Sequence, residues 1–249
     1  MPYIKKTTIS GRMLEVEKYY ASHVGRNLVR EQAAGISPKD QVRQNAKNAT
    51  RHLQRMIMAN FTHRDYMITY THAEDITERK ARAEIRNLID RIRRLYQKAK
   101  IPAHDLKYII VTEKQSKWHH HVIIKRGLPL EELMEAWGNR GRAKPEKLDV
   151  SAQCENLAVY LTGEHKPPKG QPNAENIKEP RGKYQKRWRG SRNLKKPVVT
   201  ERKVTARPQK NAMPKPPKGY RLLPDWVNIC DGNGNWYQRY VCLEEGGGE

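Results

Sequence analysis

Cysteine is scarce: Cys154, Cys230 and Cys242 are the only three in 249 residues. Their number is odd and no close C-x-x-C pair occurs, which argues against a disulfide framework and fits a reducing compartment. Long apolar runs are missing too. No window approaches the roughly 20 apolar residues of a membrane span, and the opening MPYIKKTTISGRM has no apolar core of signal-peptide length. These absences predict a soluble, cytoplasmic protein with no membrane partner. Acidic residues are also in short supply, 27 against 49 Lys and Arg, which leaves a net charge of +22. Such an excess repels itself unless a polyanion is present, and nucleic acid is the usual one. On charge alone, a basic protein that binds RNA non-specifically is an equally good reading.

What is present sorts into segments. Residues 1–36 are mixed and basic, with EVEKYY offering at most a short strand or turn. Ser37-Pro38-Lys39-Asp40 then reads as a helix start, and Ala46, Ala49, Leu53, Met56 and Ile57 recur at helical spacing. DYMITYTH, residues 65–72, alternates as a strand does. Asp75-Ile-Thr-Glu78 reads as a capping box before a helix striped with Ile85, Leu88, Ile89, Ile92, Leu95 and Tyr96. KYIIVTE and WHHHVIIK follow as apolar runs, then LPLEELMEAWG and ENLAVYLTGEHK as helices. Strand, helix, strand, strand, helix, helix describes an α+β domain with a partly antiparallel sheet and helices on one face. From Lys166 to about Lys218, Pro, Gly, Lys and Arg dominate without apolar periodicity, predicting a loop-rich basic segment. Residues 220–242, with DGNGN between aromatic runs, read as a β-hairpin. The division is therefore 1–60, an N-terminal extension with a helix; 61–166, the central domain; 167–218, the basic segment; and 219–249, the C-terminal hairpin.

The central domain holds three consecutive histidines, His119, His120 and His121. Their interior position excludes a purification tag. If the two apolar runs form a hairpin, the period of two puts His119 and His121 on one face and His120 on the other. The loop around Gln115 to Lys117 decides the rest. With three or five residues, Glu113 falls opposite His119 on the same face, whereas four would turn it away. Two imidazoles and one carboxylate leave positions open for water and phosphate oxygens, which suits Mg²⁺ or Mn²⁺ better than a closed structural zinc. The alternative is a set of histidines that only cap a polar turn, although Val122-Ile123-Ile124 directly after them places them inside a strand.

Tyr160, in NLAVYLTGEHK, is the second candidate. Leu157 and Leu161 flank it at helical spacing and can pack on a sheet, leaving the phenol at the edge of that face. A tyrosine near a divalent cation can attack a phosphodiester. An amphipathic core tyrosine is the competing role.

DYMITYTH, then Glu113 with WHHHVII, then a helix bearing Tyr160, in that order, resemble the HUH endonuclease superfamily. The likeness is to single-tyrosine rolling-circle replication initiator (Rep) proteins of plasmids, phages and mobile elements of Gram-positive bacteria. It covers about residues 60–200, and KRWRGSRNLKKP, residues 186–197, also resembles the group. The resemblance implies a ferredoxin-like antiparallel sheet of about five strands with helices on one face. It implies that Glu113, His119 and His121 are metal ligands and Tyr160 the nucleophile. The expected chemistry is nicking of single-stranded DNA at an origin, through a 5′-phosphotyrosyl link and a free 3′-OH that primes synthesis, with rejoining afterwards. Host helicase and polymerase would be the partners. One position departs from the pattern: relatives commonly carry a lysine three residues after the tyrosine, where this chain has Gly163. Lys166, three residues further on, is the candidate substitute for neutralising the phosphate.

The basic segment completes the site residues. Lys183, Lys186, Arg187, Arg189, Arg192, Lys195 and Lys196 can follow a phosphate backbone, with Asn193 among them in SRNLKKP, while Tyr184 and Trp188 stack on unpaired bases. A flexible cationic tail is the alternative there. Two further readings of the whole chain remain open: a single-tyrosine HUH transposase or relaxase, and a nucleic-acid-binding protein without chemistry.

Overall fold

The computed structural model describes residues 3–21, 39–114, 116–148, 150, 154–162, 188–205, 212–230 and 234–245. In chain order the elements are β1 (Tyr3–Ser10), β2 (Met13–Tyr20), α1 (Lys39–Asn60), β3 (Tyr66–His72), α2 (Glu78–Lys98), β4 (Tyr108–Lys114) and β5 (Trp118–Ile124). Then come α3 (Leu130–Glu135), β6 (Gly141–Glu146), α4 (Glu155–Thr162), β7 (Arg189–Gly190), β8 (Val198–Val204), β9 (Tyr220–Leu222), β10 (Val227–Cys230) and β11 (Trp236–Glu244). The fold is α+β, as the order of elements predicts, but it holds two antiparallel sheets where one sheet and a C-terminal hairpin were expected. Two compact units result: residues 1–43 with 196–249, and residues 44–195.

The first unit is a sheet in the order β10-β11-β2-β1-β8, with β9 also on β11. Residues 3–20, expected to hold at most a short strand or turn, form a full hairpin. Gly11 takes a positive φ of 56°, which lets a two-residue turn join Ser10 to Met13. The C-terminal hairpin forms as predicted, pairing Val227–Cys230 with Arg239–Trp236. Trp226 packs against the small core of Leu14, Val16, Tyr240 and Cys242. The basic segment is less loop-like than its composition suggests: β8 pairs with β1 in the first unit, and β7 pairs with β4 in the second.

The second unit is a five-stranded antiparallel sheet in the order β6-β3-β5-β4-β7. Helix α2 lies on one face because its apolar stripe, Ile85, Leu88, Ile89, Ile92 and Tyr96, packs with Ile68, Tyr70, Ile110, Val122 and Ile124 of the sheet. The opposite face is buried as well, at Met67, Ile109, Val111 and Ile123. The cap of α2 lies two residues later than the motif implied: Thr77 accepts from the Lys80 amide, while Asp75 pairs with Lys114 at 2.9 Å. The proposed helix start at Ser37 and Pro38 falls outside the described residues. Strand β6 had no forecast. It begins at Gly141, whose φ of 147° and close approach to the Thr71 carbonyl and Ala73 amide leave no room for a side chain.

Candidate metal centre

Strand parity decides which side chains meet. Glu113 pairs opposite His119, Val111 opposite His121 and Thr112 opposite His120, so the connection is the three-residue segment 115–117. That is the odd loop on which convergence depended. Glu113, His119 and His121 share one face, and His120 lies on the other. Glu113 Oε1 is 2.9 Å from His119 Nε2 and 3.0 Å from His121 Nε2. All three side chains are buried, and their ligand atoms fall within 4.8 Å of one another.

Neighbouring groups set the tautomers. Thr69 on β3 stands opposite His121, and its Oγ1 is 2.8 Å from His121 Nδ1 and 2.7 Å from Glu146 Oε1. A carboxylate oxygen only accepts, so the Thr69 hydroxyl donates its one proton to Glu146. Its oxygen must then accept the Nδ1–H of His121, which leaves the imidazole lone pair on Nε2. His119 Nδ1 lies 3.3 Å from the Lys117 carbonyl, which also only accepts, so the same assignment holds there. Two imidazole lone pairs thus face one carboxylate oxygen, an arrangement that a cation stabilises. The 2.9 and 3.0 Å separations match adjacent corners of an octahedron, about 3.0 Å apart for metal–ligand bonds of about 2.1 Å. The group can hold a divalent metal.

On the α2 face, His120 is fully buried. Its Nδ1 is 2.9 Å from Thr112 Oγ1, and its Nε2 is 3.0 Å from His72 Nε2. Burial first, and then the neighbouring His72, push its pKa down to about 3, so it stays neutral. His120 is therefore a hydrogen-bonded core residue pointing away from the three candidate ligands.

The other expected site residues are distributed unevenly. Tyr160 lies on α4, which is anchored by buried Ala158 and Leu161. Its side chain falls outside the described residues, as do Gly163, Lys166, Lys183, Tyr184, Lys186 and Arg187. Arg189, Arg192, Lys195 and Lys196 are exposed, and Trp188 is half-buried with its ring 5.4 Å from that of His52. Asn193 is occupied structurally, its Nδ2 donating to the His104 carbonyl at 2.7 Å and the Leu106 carbonyl at 3.1 Å. Sequence reasoning missed Thr69 and Glu146. A polar residue within DYMITYTH was the available signal for Thr69, but the parity of β3 against β5 cannot be read from either segment alone. Glu146 sits in GRAKPE, which carries no strand pattern.

A family model described as replication-associated protein ORF2/G2P matches residues 65–166. The matched segment contains Glu113, His119, His121, Thr69, Glu146 and the α4 helix. No curated protein and no solved structure matches the chain.

Proposed function

Given a replication-associated protein ORF2/G2P segment built around a Glu-His-His group, we propose that the chain is a replication initiator that nicks single-stranded DNA at an origin. The observation that carries this reading is the convergence of Glu113, His119 and His121 at 2.9 and 3.0 Å inside the matched segment. In this reading those three residues hold Mg²⁺ or Mn²⁺. The ion supplies polarisation of the scissile phosphate and neutralisation of charge that builds up in the transition state. Tyr160 is the nucleophile. Its phenolate oxygen, after loss of the proton to solvent, attacks phosphorus. The bond to the 3′ oxygen breaks, that oxygen takes up a proton as a 3′-OH, and the 5′-phosphate stays on the tyrosine. Reversal rejoins the strand without ATP, because the phosphotyrosyl link retains the energy of the bond broken. Lys166 neutralises the phosphate in place of the lysine absent at Gly163. Polymerase of the host cytoplasm would extend from the free 3′-OH while host helicase unwinds the duplex. No helix among the described residues is long and apolar enough to cross a membrane.

The family match favours an initiator over a transposase or relaxase, which would share the chemistry. The test is incubation of single-stranded origin DNA with Mn²⁺ and protein, followed by denaturing electrophoresis. A covalent adduct that Tyr160→Phe abolishes supports the reading. No adduct with any divalent metal would leave a nucleic-acid-binding protein without chemistry, and an adduct surviving Tyr160→Phe would remove Tyr160 from the role of nucleophile.

A further inference from the structure

A groove of about 860 Å³ opens on the α2 face of the five-stranded sheet, between α2 and the β4–β7 edge. Ile110 and Thr112 line it, so by the period of two it lies on the side of the sheet opposite Glu113, His119 and His121. Its floor is apolar: Ile85, Ile89, Leu106 and Ile110. Its walls carry five arginines, Arg82, Arg86, Arg93, Arg189 and Arg192, against one acidic residue, Asp90. Arg82 and Arg93 are each held at 2.6 Å by a carboxylate of their own helix, Glu78 and Asp90. Arg86, Arg189 and Arg192 are exposed and make no ion pair among the described residues.

A second cavity, lined by Glu78, Arg79, Arg82 and Arg86, shares Arg82 and Arg86 with the first, so the cationic track continues toward the N-terminus of α2. Positions 79, 82, 86 and 93 fall on one helical stripe and run for about 21 Å at 1.5 Å per residue. Guanidinium groups suit phosphates because their planar forks donate two parallel hydrogen bonds. The aromatic walls, Trp188 and Tyr108, together with the apolar floor offer surface for unpaired bases. An acidic peptide would satisfy the arginines but would leave the aromatic and apolar surface without a matching group.

We propose that this groove binds a second stretch of single-stranded nucleic acid, on the reverse side of the sheet from the metal centre. The proposal rests on reading the chain as an enzyme of single-stranded DNA and extends it. The strand is held on two faces, with β7 and its flanking arginines at the edge between them, so binding and cutting are separable.

The test uses the full chain and a fluorescent oligothymidylate of about 16 nucleotides. Anisotropy is followed over a series of salt concentrations in the presence of EDTA. Each phosphate contact contributes about 0.7 to the slope of log affinity against log salt for a single strand, so Arg86→Gln/Arg189→Gln/Arg192→Gln should flatten the slope by about 2. Affinity at low salt should fall roughly tenfold or more. Mn²⁺ affinity and circular dichroism should match the parent protein, and the corresponding triple Lys variant should restore the slope. An unchanged slope in the Gln variant would overturn the proposal. So would displacement of the oligonucleotide by polyglutamate at equal charge. Adduct formation with origin DNA is scored separately: a flattened slope without any adduct would keep the groove and end the initiator reading, and the converse result would do the opposite.

Discussion

Thr69 fixes the donor face of His121 through a single proton. With its hydroxyl donated to Glu146, the threonine can only accept from Nδ1, and the ligand lone pair is held on Nε2. Thr69→Val keeps the volume and removes the hydroxyl, so Mn²⁺ affinity measured by calorimetry should fall about 10- to 100-fold, while Thr69→Ser should keep most of it. Equal affinities for Val and Thr would show that the strand alone orients His121. His120 provides the contrast. His120→Ala leaves His72 and Thr112 without their shared partner in the core and should lower stability by about 2–4 kcal/mol. Its Mn²⁺ affinity per folded molecule should stay near that of the parent. The low pKa of His120 has a definite sign in acid. The unfolded chain binds a proton near pH 6.5, whereas the folded chain resists until about pH 3. Below about pH 6 the unfolded state therefore holds more protons, and His120 costs the native state about 1.4 kcal/mol for each unit of acidification. Urea titrations at stepped pH should show this decline, and a His120→Gln variant should have a shallower one.

Elements with strong periodicity were legible, and elements defined only by their partners were not. Helix α2 announced itself because its apolar residues recur every three to four positions and pack on a single core. The histidine strand was legible as far as the split of His119 and His121 from His120, which a period of two dictates, whereas the side on which Glu113 falls hung on the length of the loop, and the three-residue connection decides it. Strand β6 had no such signal. GRAKPE contains no apolar alternation, its Pro145 is tolerable only because the strand lies at the sheet edge, and it forms because β3 offers it a ladder. Two residues of β7 are too few for any pattern. The consequence reaches the metal centre, because β6 delivers Glu146 to Thr69. Gly141→Ala should therefore do more than destabilise. The new Cβ meets backbone of Thr71 and Ala73 at a φ of 147°, with about 1–3 kcal/mol from backbone strain and more from the clash. A lower melting temperature together with weaker Mn²⁺ binding is expected. A lower melting temperature with unchanged Mn²⁺ affinity would uncouple β6 from the centre.

At the scale of the molecule, the chain's two ends meet in one sheet: β11 pairs with β2, with Tyr240 opposite Val16. No local pattern foretells a ladder between residues more than two hundred positions apart, because register across such a distance depends on the whole fold and not on either segment. A consequence follows for the second unit. Residues 44–195 contain the complete five-stranded sheet, the core under α2, the three candidate ligands, and Thr69 with Glu146. None of the strands that position the centre comes from the first unit. The fragment 44–195, expressed alone, should therefore fold cooperatively and bind Mn²⁺ with an affinity close to that of the full chain. Deleting residues 236–249 from the full chain should remove β11, the partner of β2, β9 and β10, and unravel the first sheet while sparing the metal centre. Hydrogen exchange reads both at once: amides of β1 and β2 should lose protection in the deletion, while those of β4 and β5 retain it. If β4 and β5 lost protection together with β1 and β2, the two units would fold as one cooperative block, and the metal centre would depend on the ends of the chain.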